Sequence, residues 1–430
     1  MTRKFPSNWT LKHLYDVAKI QTGLALGNNN HSEPIELPYL RVANVQDGFL
    51  DLREIKKVVV DRQKADRFKL RAGDVLVTEG GDFDKLGRGY VWQGEIDPCL
   101  HQNHIFAIRP KIDHIEPYFL ATVIGSTYGR LYFLGCAKKS TNLASINSSE
   151  LKKMIVPIPS LKEQCAISER VRTWERAERD VTRLIERETA LKRGLMQRLL
   201  TGKQRFSAFV HSTEMHKGRF GDTPTDWQQV RVGDIAMEAN QQADNPALAT
   251  VLSCTKHRGL VDSLMYFGKR VFSDDTTGYK LVRRSQFAYA TNHVEEGSIG
   301  LLTHREEGLV SPMYTVFETN HRVHGPFLYA LFKTELYRHI FKSNTNTSVD
   351  RRGGLRWQQF AQISVSLPGL DEQRRIVEVL TTCDRITELL GRELELLKTQ
   401  KRWVMDRLLS GSIGPEDKSE MTATADLETC

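Results

Sequence analysis

Leu161-Lys-Glu-Gln164 and Leu199-Leu-Thr-Gly202 are the two ends of the stretch that decides the fold, because the chain contains a second copy of it. A shift of 209 residues places this stretch on a segment that begins with Leu370-Asp-Glu-Gln373 and ends with Leu408-Leu-Ser-Gly411, without a gap. An internal repeat with so long a period indicates duplicated modules rather than a solenoid.

Each copy predicts one long helix. Apolar residues return at alternating steps of four and three residues through most of 167–199 and 376–408. Such an a/d pattern over several heptads is typical of a coiled coil. Ser160 fits an N-cap, and Gly202 and Gly411 stand where helix C-caps belong. At 1.5 Å per residue, each helix would be roughly 60 Å long.

The modules ahead of the two helices also begin alike, with Pro6-x-x-Trp9 and Pro224-x-x-Trp227. Their interiors diverge, which fits a common scaffold that presents two different surfaces. The sequence therefore divides into a first module (1–159), a first helix (160–202), a linker (203–223), a second module (224–369), a second helix (370–411) and an acidic tail (412–430) that its composition predicts to be disordered.

Both modules are predicted to be mixed α/β domains of about 150 residues. In the first module, the β-rich runs are Tyr39–Val45, Val58–Val60, Val75–Thr78, Tyr90–Trp92 and His104–Ile108, and the helical segments are Pro117–Leu134 and Ser148–Met154. In the second module, the β-rich runs are Leu248–Ser253, Gln286–Ala290, Ser298–Leu302 and Tyr314–Phe317, and the helical segment is Pro326–Phe341.

The order of these parts predicts an α+β architecture. The second module begins soon after the first helix ends, and the apolar seam of the second helix has to be buried. Packing back along the first helix would bury it, which gives an antiparallel coiled coil within one chain. The two modules would then stand at opposite ends of the helix pair, related by a pseudo-twofold axis.

The composition predicts a protein of the reducing cytoplasm that binds an anionic partner. The net charge is +8, and residues 412–430 contribute −4 of it, so the rest of the chain carries about +12. A basic body most often has nucleic acid as its partner. No stretch approaches the roughly 20 apolar residues of a membrane span. The six cysteines are scattered without a C-x-x-C pair, as expected of free thiols.

The repeated helix ends resemble the conserved regions of type I restriction–modification specificity subunits, the HsdS family. Pro6-x-x-Trp9 with its second copy, Leu40-Arg-Val-Ala-Asn-Val-Gln-Asp-Gly48, Gly73-Asp74-Val-Leu-Val and His104-Ile-Phe-Ala-Ile-Arg-Pro110 are also typical of that family. The resemblance covers all of the chain except the acidic tail. Ser285-Gln286 replaces the Gly73-Asp74 pair in the second module, so the interior of that module departs more from the pattern.

The resemblance implies a non-catalytic subunit that recognises double-stranded DNA. Each module would be a target-recognition domain for one half of a bipartite, gapped site, and the helices would set the spacing. The helices would also dock two modification (methyltransferase) subunits, and restriction (translocase/endonuclease) subunits would join the assembly. S-adenosylmethionine, ATP and Mg²⁺ are then expected on those partners, with no cofactor on this chain.

Catalytic motifs that would favour an enzyme are missing from the sequence. There is no G-x-x-x-x-G-K-[ST] loop and no Asn/Asp-Pro-Pro-aromatic tetrapeptide, the hallmark of adenine methyltransferases. Cys99, His101 and His104 could approach a metal, but structural zinc usually takes four ligands. We therefore predict no metal site. The alternative function is a protein-interaction scaffold built on the coiled coil.

Candidate DNA contacts are polar and basic residues in the loops of both modules, where side chains can reach phosphates and base edges. In the first module they are Arg41, Asn44, Gly81, Lys85, Arg88, Gln102, Asn103, Lys138, Lys139, Thr141 and Asn142. In the second module they are Lys256, His257, Arg258, Asn292, His293, Asn344, Asn346, Arg351 and Arg352. The candidate partner-binding residues are Glu163, Gln164, Leu199, Leu200, Glu372, Gln373, Leu408 and Leu409.

Overall fold

The structure is a computed structural model that describes residues 5–27, 32–81, 86–139, 144–218, 221–243, 249–345 and 354–417. The chain divides into two compact units. The first unit comprises Met1–Arg183 and Gly391–Cys430, and the second unit comprises Leu184–Leu390. Both boundaries fall inside a long helix, so each unit contains a part of each long helix.

The first module folds into short strands and helices that are followed by the first long helix. Its strands are β1 (Thr10–His13), β2 (Ala18–Thr22), β3 (Pro34–Leu40), β4 (Lys56–Asp61), β5 (Val75–Thr78), β6 (Gly80–Gly81), β7 (Gly89–Val91), β8 (Leu100–His101), β9 (Ile105–Pro110), β10 (Lys138–Lys139), β11 (Ala144–Ser145) and β12 (Ile155–Ile158). Its helices are α1 (Leu14–Val17), α2 (Arg62–Phe68), α3 (Pro117–Gly125), α4 (Thr127–Cys136), α5 (Ser148–Lys153) and α6 (Leu161–Leu199).

A four-stranded antiparallel sheet in the order β2-β9-β5-β7 forms the centre of the first unit. All four residues of β5 are buried, because both faces of the sheet are covered. On one face, Val75 and Val77 pack with α3 and with residues of both long helices, including Val171 and Leu408. On the other face, Leu76 packs in a smaller cluster around Trp92.

The second module contains a similar set of elements. Its strands, with those of the linker, are β13 (Met215–His216), β14 (Thr223–Pro224), β15 (Gln228–Arg231), β16 (Ala236–Glu238), β17 (Leu252–Thr255), β18 (Gly259–Asp262), β19 (Lys280–Arg283), β20 (Phe287–Ala290), β21 (Ile299–Leu301), β22 (Glu307–Val310), β23 (Tyr314–Thr319) and β24 (Ser364–Leu367). Its helices are α7 (Val232–Ile235), α8 (Ser263–Phe267), α9 (Gly325–Phe332), α10 (Glu335–Asn344), α11 (Trp357–Phe360) and the second long helix, α12 (Leu370–Leu409).

The second unit repeats the sheet of the first unit strand for strand. Its four-stranded antiparallel sheet has the order β16-β23-β20-β21, and the two-stranded pair β15–β24 matches β1–β12. Phe287 and Tyr289 of β20 pack with α9 and with residues of both long helices, including Leu199 and Ile376. The duplication read from the sequence therefore extends through the core of both modules.

The predicted seam of the coiled coil is confirmed: every a/d position in 167–199 and 376–408 is buried or half-buried. Within the first unit, Arg170 Nη1 donates to the Gly414 carbonyl at 2.8 Å, and Lys401 Nζ pairs with Glu178 Oε2 at 2.9 Å. Residue numbers therefore rise along α6 while they fall along α12 and the turn that follows it. The two helices are antiparallel in this unit.

Glycine ends both long helices in the left-handed conformation, as predicted. The φ angles are +70° at Gly202 and +69° at Gly411. A Cβ atom on Gly202 would lie 2.4 Å from Pro224 Cγ, and one on Gly411 would lie 2.7 Å from Pro6 Cγ. The motif that opens each module therefore packs against a helix end, which explains why both motifs are repeated together.

Two predicted strands are displaced. Leu248–Ser253 was expected to be a strand, but β17 covers Leu252–Thr255, and Leu248 lies outside the described residues. Tyr39–Val45 was expected to be extended, but β3 ends at Leu40 and Val42–Asn44 form a 3-10 turn. The amide of Asn44 stabilises this turn, because its oxygen accepts from the Arg41 N–H at 2.8 Å and its nitrogen donates to the Asp51 and Glu54 carbonyls at 2.9 Å.

Candidate nucleic-acid interface

Two predicted DNA-contacting loops of the first module are joined by a small sheet. Strand β11 lies between β10 and β6, so Ala144 pairs with Lys139 on one side and with Gly81 on the other. Gly81 and Lys138-Lys139 are thereby brought into one sheet, although they are far apart in the sequence. Lys85, Thr141 and Asn142 lie outside the described residues.

Hydrogen bonds connect the remaining candidates of the first module to the same region. The Glu79 N–H, next to β6, donates to the His104 carbonyl at 2.9 Å. Gln102 Oε1 accepts from the Val42 N–H at 3.2 Å, and Arg88 Nη1 donates to Gln46 Oε1 at 3.2 Å. The loops that carry Arg41, Arg88 and Asn103 therefore adjoin one another.

The candidate side chains differ in what they can still contact. Asn44 is only 4% exposed, and its amide is engaged inside the 41–54 loop. Arg41 forms an ion pair of 2.9 Å with the exposed Glu54. Gln102 and Asn103 are half-buried, as is Arg88. Asn44 is thus placed as a loop-stabilising residue, whereas the other side chains lie at the surface.

In the second module, Lys256, His257 and Arg258 form the exposed tip of the β17–β18 hairpin. We call these three residues the hairpin tip. The side chain of Lys333 holds the hairpin tip in place, because its Nζ atom donates to the Lys256 carbonyl at 3.0 Å and to the Gly297 carbonyl at 2.6 Å. Burial lowers the pKa of Lys333 to about 8.

The other candidates of the second module lie on two further loops. Asn292 is half-buried and His293 is exposed, and both lie in a loop that ends at Gly297. Lys333 connects this loop to the hairpin tip, because it binds the Gly297 carbonyl as well. Asn344 ends α10, and its Nδ2 atom donates to the Ile340 carbonyl at 2.8 Å. Asn346, Arg351 and Arg352 lie outside the described residues.

Helix α8 is a surface that the sequence reasoning missed. Leu264, Met265, Tyr266 and Phe267 are between 43% and 83% exposed, and the Arg258 guanidinium lies 5.9 Å from the centre of the Tyr266 ring. A contiguous exposed apolar surface of this kind marks an interaction site more often than scattered residues do. The sequence signal that could have indicated this surface is the run of four apolar residues, Leu264–Phe267. A helix of one turn points its side chains in all directions, so it cannot bury all four.

The corresponding helix of the first module has the opposite surface. Helix α2 also follows the second strand of a hairpin and is also capped by an aspartate, Asp61. Ala65 is 1% exposed and packs in its own core, and the outer positions include Arg62 and Lys64. The two modules therefore share this element and differ in the chemistry that it presents.

The candidate partner-binding residues are mostly buried within their own units. Their exposed fractions are 0% for Gln164 and Leu409, 1% for Gln373 and Leu408, and 2% for Leu199, Leu200 and Glu372. Glu163 is half-buried and accepts a hydrogen bond from Trp9 Nε1 at 3.2 Å. These side chains stabilise the units, and a docking role for them stays a prediction.

The possible metal ligands of the first module are not brought together. Cys99 and His101 are buried, and burial lowers the pKa of His101 to about 4. His104 is exposed and contacts Glu79 at 2.6 Å. Within the described ranges, the one group of three side chains that could hold a metal ion is His293, Glu295 and Glu296, whose ligand atoms lie within 4.8 Å of one another.

Among the described residues, no helix is both long and apolar enough to pass through a membrane. The exposed faces of α6 and α12 carry charged residues, and many of these form ion pairs three positions apart, such as Arg172 with Glu169 and Arg375 with Glu378. Pairs of this kind contribute only about 0.3–0.5 kcal/mol each. They indicate solvated faces.

This fold of two repeated α/β domains, with two long helices contributing to each, is shared with solved structures from type I restriction–modification systems. A chain solved in work on complex assembly and conformational transition of the type I R-M system matches 95% of this chain and 100% of its own, with a TM-score of 0.56 and 15% identity. The S subunit from M. genitalium matches 95% of this chain and 98% of its own, with a TM-score of 0.51 and 15% identity.

Sequence comparison identifies the family. The family model described as type I restriction modification DNA specificity domain matches residues 6–187 and 272–399, and the chain belongs to this family. A relative from Methanocaldococcus jannaschii, provisionally named the type I restriction enzyme MjaX specificity subunit, is 23% identical over 430 residues and 95% of both chains. The EcoBI specificity subunit of Escherichia coli is 27% identical over 170 residues, 39% of this chain and 35% of its own.

Specificity subunits are the DNA-recognition components of restriction enzymes rather than the catalytic ones, in agreement with the missing catalytic motifs.

Proposed function

We propose that this chain reads a bipartite, gapped DNA site, with one half-site for each module. The observation that supports this most is that the two units have the same sheet but different loops at equivalent places. The long 41–55 loop joins β3 to β4, whereas the three-residue hairpin tip joins β17 to β18. A shared scaffold with different reading surfaces is suited to two unrelated half-sites.

The surfaces differ in the contacts that they offer to DNA. Lys256 and Arg258 at the hairpin tip are exposed cations that suit phosphates, and an arginine can also bind guanine with two hydrogen bonds. Tyr266 and Met265 beside them offer apolar surface to a thymine methyl group or a widened base step. In the first module, Arg88 suits phosphates, and Gln102 and Asn103 suit base edges.

The helices would act as a ruler and as a docking platform. A stiff antiparallel pair fixes the distance and phase between two reading surfaces, as dimer geometry fixes half-site spacing in other DNA-binding proteins. A duplicated body also offers two similar docking sites, one for each of two methyltransferase subunits. Restriction subunits would join through these. S-adenosylmethionine, ATP and Mg²⁺ would act on the partners, and the complex would work in the cytoplasm.

Methylated-base sequencing tests the proposal directly. DNA is taken from cells that express this chain together with the methyltransferase subunit encoded beside it. The expected result is one split motif, with two defined blocks around an undefined gap of constant length. Replacing residues 224–369 by the second module of a relative should then change one block only.

A different outcome would favour the protein-scaffold function. If the complex forms but no modified motif is found, and if binding of the complex to DNA does not weaken with added salt, the proposal is wrong. Phosphate contacts make DNA affinity fall steeply with salt, so a salt-independent interaction would point to a protein partner.

A further inference from the structure

Arg205 is the centre of a buried ion-pair network in the second unit. Its side chain is 7% exposed and binds Glu372 through Nε and Nη2, both at 2.8 Å. Its Nη1 atom donates to both oxygens of Asp226, at 2.6 and 2.9 Å. The guanidinium also lies 5.8 Å from the centre of the Trp227 ring. All of these partners belong to repeated motifs.

The repeat gives this site a counterpart in the first unit. Glu372 corresponds to Glu163, because both stand two residues into the repeated helix start. Asp226-Trp227 corresponds to Asn8-Trp9 in the repeated opening motif. Arg205 follows Gly202 by three residues, and the residue that follows Gly411 by three is Gly414. The first unit therefore has the acidic residue and the tryptophan but no arginine at the repeated position, and its Arg170, on α6, donates to the Gly414 carbonyl at 2.8 Å.

An open pocket of about 380 Å³ lies at this place in the first unit, and its lining includes Asn8, Glu163, Ile167, Leu408, Gly411 and Gly414. The indole N–H groups of Trp9 and Trp227 have different hydrogen bonding in the two units. Trp9 Nε1 donates to Glu163 at 3.2 Å, whereas the buried Trp227 Nε1 has no hydrogen-bond partner among the described residues, because Glu372 is engaged by Arg205.

We propose that this pocket binds the guanidinium group of an arginine side chain that the first unit does not supply from the repeated position. Glu163 would accept two parallel hydrogen bonds, as Glu372 does, and the Trp9 ring would flank the cation. Guanidinium groups suit such a carboxylate better than ammonium groups, because their donors form a rigid planar fork. The arginine comes from a partner protein. The proposal does not depend on DNA recognition.

The test uses the full chain labelled with 5-fluorotryptophan and observed by ¹⁹F NMR. A Trp9→Phe variant assigns the Trp9 resonance, and the other tryptophans report that the protein stays folded. L-arginine amide should shift the Trp9 resonance in a saturable way, because guanidinium binding withdraws Glu163 from the indole N–H. L-lysine amide is the matched control, and its apparent affinity should be at least about tenfold weaker.

Two variants check that the shift comes from the pocket. Glu163→Gln removes the charged acceptor and should abolish the saturable shift. Gly414→Arg supplies the arginine from within, as in the second unit, and should move the Trp9 resonance without any ligand and make it insensitive to arginine amide. The substitution is sterically possible, since a Cβ atom on Gly414 would meet only the Asp417 side chain, at 3.3 Å.

A further variant tests whether the arginine comes from a partner protein. If the wild type responds to arginine amide, the pocket is open and its ligand comes from another molecule. If only an Arg3→Ala variant responds, the chain's own Arg3 occupies the pocket, and the proposed partner arginine is ruled out. If neither protein responds, or if lysine amide acts as strongly as arginine amide, the proposal is overturned.

Discussion

Ser285 adopts the backbone conformation that glycine adopts at the equivalent position of the first module. The φ angle is +68° at Ser285 and +91° at Gly73. The residue that follows accepts the same hydrogen bond in both modules, from the Arg71 N–H to Asp74 Oδ2 and from the Arg283 N–H to Gln286 Oε1, at 2.8 Å. The turn is therefore preserved although both of its residues have changed.

Reciprocal substitutions at this turn should have opposite effects on stability. The left-handed conformation costs a residue with a side chain about 1–2 kcal/mol, and the greater freedom of glycine in the unfolded chain offsets roughly 0.5–1 kcal/mol of that. We expect Ser285→Gly to raise the thermal unfolding midpoint of the second unit and Gly73→Ser to lower that of the first. Equal effects of the same sign would contradict the assignment of strain.

Glu175 on α6 should make the stability of the first unit depend on pH. Burial raises the pKa of Glu175 to about 7 and Glu178 adds to this, whereas Lys401, Arg179 and Arg172 oppose it. The unfolded chain loses this proton near pH 4.5, whereas the folded chain keeps it up to about pH 7. The free energy of unfolding is therefore highest, as far as Glu175 contributes to it, below about pH 4.5. It falls as the pH rises from about 4.5 to about 7, and the contribution of Glu175 is constant above that.

A Glu175→Gln variant removes this dependence. Its thermal midpoint should be higher than that of the wild type at pH 8, by up to about 3 kcal/mol in stability, and close to it at pH 4.5. Glu393→Gln is the control, because Glu393 is exposed on α12 in the same unit. A stability difference that does not change between pH 4.5 and pH 8 would show that the pKa of Glu175 is the same in the folded and the unfolded chain.

At the scale of the elements, one glutamine at the start of each long helix holds the module to that helix. Gln164 accepts from the Glu116 N–H at 2.8 Å and donates to the Pro159 carbonyl at 2.9 Å. Gln373 makes the same bonds to the His324 N–H and the Pro368 carbonyl, at 2.8 and 2.9 Å. Glu116 and His324 are the N-cap residues of α3 and α9, so the glutamines fix the helices that pack on the sheets.

A Gln164→Ala variant distinguishes this role from partner docking. Because it leaves a buried N–H and a carbonyl without partners, the substitution should destabilise the first unit by about 1–3 kcal/mol. The exposed Gln197 on the same helix is the control, and Gln197→Ala should leave stability unchanged. If Gln164→Ala instead weakens binding of the methyltransferase subunit at unchanged stability, the docking prediction holds.

The sequence allowed prediction of those elements whose signals are local. The seam of α6 and α12, the helix-ending Gly202 and Gly411 and most strands follow from periodicity and from the special conformation of glycine. The pairing of β6 with β11 could not be predicted, because it joins distant two-residue strands. The burial of Asn44 could not be predicted either, because the Asp51 and Glu54 carbonyls reach its amide only when the 41–55 loop closes.

At the scale of the whole molecule, the net charge of +8 should make DNA binding by the assembled complex depend on salt. The logarithm of the binding constant should fall linearly with the logarithm of the salt concentration. Lys256→Ala should weaken binding to specific and unrelated duplexes alike and reduce the slope by about one. Lys217→Ala, an exposed residue of the linker, should leave the slope unchanged. If the wild type, Lys256→Ala and Lys217→Ala have equal slopes, Lys256 does not contact a phosphate.

The division of the chain into two units has a consequence for its synthesis on the ribosome. The first unit includes Met1–Arg183, but its core also includes Val404, Leu408 and Leu409, which are translated only after the whole of Leu184–Leu390. All of Leu184–Leu390 is made in between, which takes roughly ten to forty seconds at about 5–20 residues per second. The unit that is started first is therefore completed last. A nascent chain that is released before Gly391 carries a complete second unit and a first unit that lacks its closing helix.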